Sequence, residues 1–541
     1  MAYILKKFFI SLILICLIFT NFVHAEAKTV KNNIKLKKAV SSNVNNIHPD
    51  KAYKLGMDAF NQKDYSKALY YFDIAIKGNP SAANYIMLAK SYEALGKMED
   101  AANFYTKASE IYEKKGLKDD AEIYKTKAKK LTTEVRLYQF FNNDNFKESY
   151  SGAKYEPVVG AYIGAYIDAD PNLKNKGKSI FEEFNSLFGN HSVFFTYHYY
   201  GQPFPKNWVN EVRKTGAIPQ LAIEPENLDE VKDDEYLREF AKEAAKYGGP
   251  LFIRFASEMN GNWTPYHNDP EKYKEKFRLV HDVFERIAPN VAMVWTPNAV
   301  PEKNIDEYYP GDEYVDWVGV NFYAVAYHNM NINEPAFDED PTIYLDYVYN
   351  KYSHKKPIQI SEWAATHKTT ISEEDLSNFA VDRIKKLYYY LPRKYPRIKM
   401  VCWFDSNNIT NPFVPAERRI NNYSLTENYV VGEAYKKAIE SDYFIKSGQT
   451  ATGYFKSVPE SFVLKEDLNL SAYIKTYDEK FTVKFLVDDI MISYQKDIPY
   501  QITLSPKDYK DGWHTLEIRV IDSKNRLAKS KKYKFIVEKS L

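Results

Sequence analysis

The sequence predicts an α/β fold: a (β/α)8 TIM barrel, preceded by an α-helical repeat region and followed by a β-sandwich. Three observations predict it. Between residues 155 and 445, eight short apolar runs alternate with amphipathic, charged stretches, the pattern of strands that each lead into a helix and lie parallel in one sheet. Residues 49–135 carry an internal repeat of helical character. After residue 450 the helical periodicity stops and apolar and polar residues alternate, as in Trp513-His-Thr-Leu-Glu-Ile-Arg-Val-Ile.

In chain order, Lys6 and Lys7 precede an apolar run from Phe8 to Val23 and then Val23-His24-Ala25, which reads as a secretory signal peptide over residues 1–25. The run is shorter than the ~20 apolar residues that cross a bilayer, so no membrane span is expected after cleavage and the protein is expected to be secreted or held at the cell surface. Cys16 lies inside that run, which leaves Cys402 as the single cysteine of a processed chain and excludes both an internal disulfide and a multi-thiolate metal site. Residues 26–48, rich in Lys, Asn, Ser and Val without periodicity, read as a flexible tether.

In the repeat region, Ala68, Phe72 and Ala75 recur 33 positions on as Ala101, Tyr105 and Ala108. Small residues at such places let paired helices approach, and the aromatics fill the groove between them. The pattern resembles the tetratricopeptide repeat, a helix–turn–helix unit of about 34 residues, with a third helix near Asp119–Leu131 as cap. That resemblance implies a protein partner for residues 49–135; a plain helical spacer is the alternative.

For the barrel, the candidate strands are Val158–Ile163, His191–His198, Ile218–Ile223, Leu251–Ala256, Val291–Trp295, Val315–Asn321, Ile358–Ser361 and Ile398–Phe404, with helices such as Asp234–Tyr247, Glu271–Ala288 and Glu373–Tyr390 between them. A closed barrel places its active site at the C-terminal ends of its strands. Residues 450–541, with turns at Asp511-Gly512 and Lys524-Asn525, read as an immunoglobulin-like β-sandwich.

The charge balance carries no nucleic-acid footprint: 74 Lys and Arg offset 72 Asp and Glu, for a net charge of +2. Aromatics make up 16% of the chain, with 46 Tyr, which suits stacking on sugar rings. No His/Cys/Asp cluster has metal-ligand spacing and no glycine-rich loop cradles phosphate, so neither metal nor cofactor is expected.

Chemistry is sought where a carboxylate directly follows an apolar strand. Two places qualify. The fourth strand runs Leu251-Phe-Ile-Arg254-Phe-Ala-Ser257-Glu258-Met259-Asn260-Gly261-Asn262-Trp263, and the seventh runs Pro357-Ile-Gln-Ile-Ser361-Glu362-Trp363. Alternation puts Arg254 and Glu258 on one side of the fourth strand, where Arg254 can brace the catalytic pair. Paired carboxyl groups flanking one bond are what glycoside hydrolysis needs. Trp263, Tyr266 and Trp295 are candidate cleft walls. His198, Glu224, Asn260 and Asn298 fall at or just past strand ends and are candidate ligands of sugar hydroxyls.

Arg-x-x-x-Glu-Met-Asn-Gly with Ser-Glu-Trp resembles glycoside hydrolase family 26. Val294-Trp-Thr-Pro-Asn298, Tyr309-Pro-Gly-Asp312, Asn321-Phe-Tyr323 and Cys402-Trp-Phe404 resemble its fifth, sixth and eighth strands, so the likeness covers roughly residues 157–445. The resemblance implies a retaining endo-β-glycanase, most readily of β-mannan, with a polysaccharide as its partner. Glu362 would be the nucleophile and Glu258 the acid/base, its proton affinity raised by its neighbour. Tyr323 would orient Glu362, and Trp403 would floor the cleavage subsite. One departure bears on substrate: mannanases of the family carry His before the acid/base, and here that place is Ser257. A mixed-linkage β-glucanase, a β-1,3-xylanase and an exopolysaccharide hydrolase therefore stand as alternatives, and from another class a non-catalytic glycan-binding scaffold.

Overall fold

A computed structural model describes residues 47–142, 151–174 and 177–538. The predicted signal peptide and all but the last two residues of the tether lie outside the described residues. The chain divides into two compact units at Lys115/Gly116.

Among its described residues the first unit contains four helices, α1 (Pro49–Asn61), α2 (Tyr65–Gly78), α3 (Ala82–Ala94) and α4 (Met98–Lys114). Ala68, Phe72 and Ala75 of α2 and Ala101, Tyr105 and Ala108 of α4 are all buried, so the repeated triplets form the packing face. Gly56 of α1 is required by that packing, because a Cβ there would stand 2.6 Å from the Phe72 ring. Helix α5 (Lys118–Leu131), expected to cap the stack, instead falls in the second unit. There its lysines meet the barrel, Lys125 and Lys129 on Glu302 and Lys118 on Glu307.

The second unit opens with strand β1 (Glu134–Asn142) and then forms the barrel from β2 (Ala161–Ala169), β3 (Val193–Tyr199), β4 (Ile218–Glu224), β5 (Leu251–Phe255), β6 (Val291–Trp295), β7 (Trp317–Ala324), β8 (Ile358–Ala365) and β9 (Ile398–Ser406). The eight are parallel neighbours in chain order, and β9 pairs back onto β2 to close the ring. Each contains or overlaps one of the apolar runs read from the sequence. Residues of β5 and β6 are buried throughout, as expected of strands covered by helices outside and side chains inside. The interior is packed below the mouth. Gln359 donates to Gln220 across it at 2.6 Å. At Gly319 a Cβ would sit 2.2 Å from Thr296 Oγ1 and 2.4 Å from Ser361 Oγ, so only glycine lets these layers close.

Beyond the barrel, the chain forms β10 (Gly453–Ser457), β11 (Ser461–Leu464), β12 (Leu468–Lys475), β13 (Thr482–Val487), β14 (Ile490–Gln495), β15 (Gln501–Leu504), β16 (Gly512–Ile521) and β17 (Leu527–Val537). Two sheets result, ordered β10-β1-β12-β15 and β11-β17-β16-β13-β14. They share one core that includes Leu137, Leu470, Phe485, Leu516 and Phe535. Strand β1 is an interior strand of the first sheet, antiparallel to both β10 and β12. Sequence reading missed it: the C-terminal sheets incorporate a strand that precedes the whole barrel.

Candidate active site

Strand β5 ends at Phe255, and the chain then turns through Ala256 and Glu258, both with left-handed backbone (φ 48° and 60°). Non-glycine residues rarely adopt that conformation without surrounding structure to hold it. Here the Glu258 amide donates to Thr296 O at 2.8 Å, and its carboxylate accepts three side-chain hydrogen bonds. Trp263 Nε1 donates at 2.6 Å, Asn321 Nδ2 at 2.9 Å and Asn298 Nδ2 at 3.0 Å. Asn321 is the register partner of Glu362 across β7 and β8, so the two glutamates converge at one end of the barrel.

Glu362 is held differently. Its carboxylate is ion-paired to Arg254, whose side chain is fully buried (0% exposed) and also donates to Ser361 O at 3.2 Å. Tyr323 donates to it at 2.6 Å, and Tyr197 hydrogen-bonds it as well. The Arg254 guanidinium lies over the Phe195 ring, 5.0 Å from its centroid. Burial by itself would lower the proton affinity of Arg254, but the carboxylates of Glu362 and Glu224 outweigh it and keep the cation firmly charged.

The two carboxyls therefore differ in character. Burial pushes Glu258 above the usual carboxylate range and the charge of Glu362 pushes it further, while the bonds from Asn321, Asn298 and Trp263 pull it back. Glu362 faces a permanent cation. Carboxyls in such different surroundings can divide the roles of acid and nucleophile. A third carboxyl, Glu224 at the end of β4, is raised to about 7, chiefly by burial, against the hydrogen bonds of Tyr266 (2.6 Å) and the Ser257 amide (3.1 Å).

Five sequence-predicted contacts fall elsewhere, three of them because of strand parity. Trp403 is fully buried on the helix side of β9, edge-on to Trp363 and donating to Tyr423 O at 3.2 Å. It cannot floor a subsite; the pocket-side residue is Phe404, edge-on to Tyr323. Trp295 is likewise fully buried, against Tyr309 and Tyr352, while the next residue, Thr296, faces the barrel interior and Ser361. His198 packs on Phe240 and bonds Gln202 O at 3.1 Å; its neighbour Tyr197 faces the pocket. Asn260 is spent on backbone, bonding Asn298 O, Pro301 O and the Asn298 amide, all at 2.9 Å. It fixes the turn that presents Asn298 rather than reaching ligand. Tyr266, a candidate wall, is buried on Glu224 and Ser257 O. Trp263 remains at the surface, 38% exposed, with Arg418 over its ring at 6.0 Å.

Among the described residues no group of His, Cys, Asp or Glu could hold a metal ion, and no helix is long and apolar enough to cross a membrane. Cys402 is buried inside the barrel wall.

The family model "Glycosyl hydrolase family 26" matches residues 225–339. That span holds Glu258, Trp263, Asn298, Asn321 and Tyr323, and ends before Glu362. The chain is 24% identical over 273 residues to Endoglucanase H of Acetivibrio thermocellus, covering 47% of this chain and 28% of that protein. It is 30% identical over 125 residues to a β-1,3-xylanase of a Vibrio species, covering 22% of this chain and 24% of the relative. The matches thus span about a quarter of the length of these curated relatives. A solved family 26 β-mannanase from Bacteroides ovatus aligns over 54% of this chain and 91% of its own, at 16% identity and a TM-score of 0.38.

Proposed function

We propose that the protein is a retaining endo-β-glycanase of glycoside hydrolase family 26 type, acting on a β-linked polysaccharide, with Glu362 as nucleophile and Glu258 as acid/base. One observation carries the reading: two carboxyls converge at the mouth of one barrel, one clamped by a buried arginine and two phenols, the other raised by burial and held by amide and indole donors. The family match and the names of the relatives, an endoglucanase and a β-1,3-xylanase, agree with it.

In the first step the Glu362 carboxylate attacks the anomeric carbon while Glu258 gives its proton to the glycosidic oxygen, releasing one chain end and leaving a glycosyl ester on Glu362. In the second, Glu258, now ionised, takes a proton from water as that oxygen attacks the same carbon, and the ester breaks. Retention needs carboxyls roughly 5–5.5 Å apart. Arg254, Tyr323 and Tyr197 hold and aim Glu362, and Trp263 offers the exposed ring on which a leaving-group sugar stacks.

Ser257 in place of the mannanase histidine, together with relatives named endoglucanase and β-1,3-xylanase, favours β-glucan or β-1,3-xylan over mannan. The reading includes export through residues 1–25 and a protein-binding role for the N-terminal helices. Reducing-end release from a panel of mannans, β-glucans and xylans tests the activity. Turnover of at least one polymer, abolished in Glu362→Ala with the fold intact by circular dichroism, is expected. Retention of a glycan in affinity gels with no turnover of any would make the barrel a binding module.

A further inference from the structure

A second recess lies at the opposite end of the barrel, against the C-terminal sheets. It has a volume of about 430 Å³ and includes Val159 and Gly160, just before β2, with Pro396 and Lys399 at the start of β9. These are N-terminal strand ends, whereas Glu258 and Glu362 belong to the C-terminal mouth. The other walls come from the helix Ser377–Lys394, from β1 and from β10.

Its charge is unbalanced. Lysine and arginine are almost never fully buried unless paired, because an isolated charge loses its hydration. Lys399 is 1% exposed, and among the described residues its ammonium has one hydrogen-bond partner, Val158 O at 3.1 Å, and no carboxylate in ion-pair range. Arg393 is 5% exposed and, among the described residues, meets no carboxylate either; it donates to Ser471 Oγ at 2.9 Å and Tyr389 O at 2.5 Å. Its guanidinium lies between two rings, 3.5 Å from the centroid of Tyr389 and 4.1 Å from that of Phe455. The contrast with Lys394 is direct: the adjacent residue lines the same recess and is neutralised by Asp346 and Glu134. Arg136 lies at the rim, paired with Glu134 at 3.4 Å. Burial, and after it the charge of Arg397, drag the Lys399 ammonium down to about 8 against the pull of Glu156.

We propose that this recess binds an anionic saccharide, a sugar carrying a carboxylate or phosphate, with Arg393 and Lys399 supplying the missing ion pairs and the tyrosines of the wall packing on the ring. The volume suits a mono- or disaccharide and lies within the usual range of small-molecule sites. The inference is independent of the hydrolase reading, since it concerns a different end of the barrel and is read by binding alone.

Calorimetric titration of the full chain with glucuronate, glucose 6-phosphate, inorganic phosphate and glucose tests it. One of the two charged sugars should bind at least about tenfold more tightly than glucose, and whichever binds more tightly identifies the anion. Lys399→Gln, which keeps a donor for Val158 O, and rim variant Arg136→Gln should each weaken that binding, Lys399→Gln by about tenfold or more, without lowering the melting temperature appreciably. Glu362→Gln should leave it unchanged. The proposal is overturned if neither charged sugar binds more tightly than glucose. Inorganic phosphate binding as tightly as the sugars, or affinity unchanged in Lys399→Gln, would equally overturn it.

Discussion

Replacing Trp263 by Phe probes how the Glu258 proton is held. The substitution keeps a ring at the cleft surface but removes the indole N–H that donates to Glu258 Oε2 at 2.6 Å. That bond stabilises the ionised carboxylate, and its loss must raise the proton affinity of Glu258 above its already elevated value. A hydrogen bond to a charged group contributes about 1.5–3 kcal/mol. Trp263 is 38% exposed, so water replaces part of the bond and the lower end applies. At 1.36 kcal/mol per unit this gives an upward shift of about one pH unit. The first step needs Glu258 protonated, so the basic limb of kcat/KM against pH should move up by about that much, with the acidic limb fixed. Carbon-13 NMR of the δ-carboxyl in glutamate-labelled protein reads the same shift without substrate. A basic limb that stays put or moves down, while the Glu258 resonance titrates as in the parent protein, would refute the assignment of the proton to Glu258.

Other consequences follow from the same geometry. Arg254→Met strands Glu362 as a buried carboxylate without its cation, and should cost about 3–5 kcal/mol in denaturant unfolding. Glu224, raised from 4.5 to about 7, contributes stability below pH 4.5 that is lost as pH climbs to 7; in Glu224→Gln the melting temperature should fall less over that window than in the parent protein. Trp403→Phe should leave KM for polysaccharide unchanged, because that ring faces the helices, whereas Phe404→Ala should raise KM or lower kcat. Residues 450–541 expressed alone should not give a cooperative unfolding transition, since β1 is absent from between β10 and β12; adding residues 134–142 through a linker should restore one.

The barrel is legible in the sequence because each strand is buried on both sides and reads as a short apolar block, set off by charged helices. The same burial hides the facing of each side chain. A strand apolar on both faces gives no alternation to follow, so Trp403 and Phe404, Trp295 and Thr296, or His198 and Tyr197 cannot be told apart by polarity. In each pair the pocket side belongs to the residue that sequence reading passed over. Glu258 and Glu362 stand out because a carboxylate ending an apolar run has few structural uses. Asn321 was hidden inside such a run, its amide visible only once β7 is set beside Glu258. Strand β1 was missed because its partners lie more than 300 residues away in the chain, beyond any local pattern.

Trapping of the covalent intermediate tests the central claim most directly. Glu258→Ala protein is incubated with activated 2-fluoro-glycosides of mannose, glucose and xylose, digested, and its peptides are mapped by mass spectrometry. The account predicts one fluoroglycosyl adduct on the peptide containing Glu362, absent when Glu362 is also changed to Gln. An adduct on any other residue, or turnover of the activated sugar to a product of inverted anomeric configuration without an adduct, would contradict it.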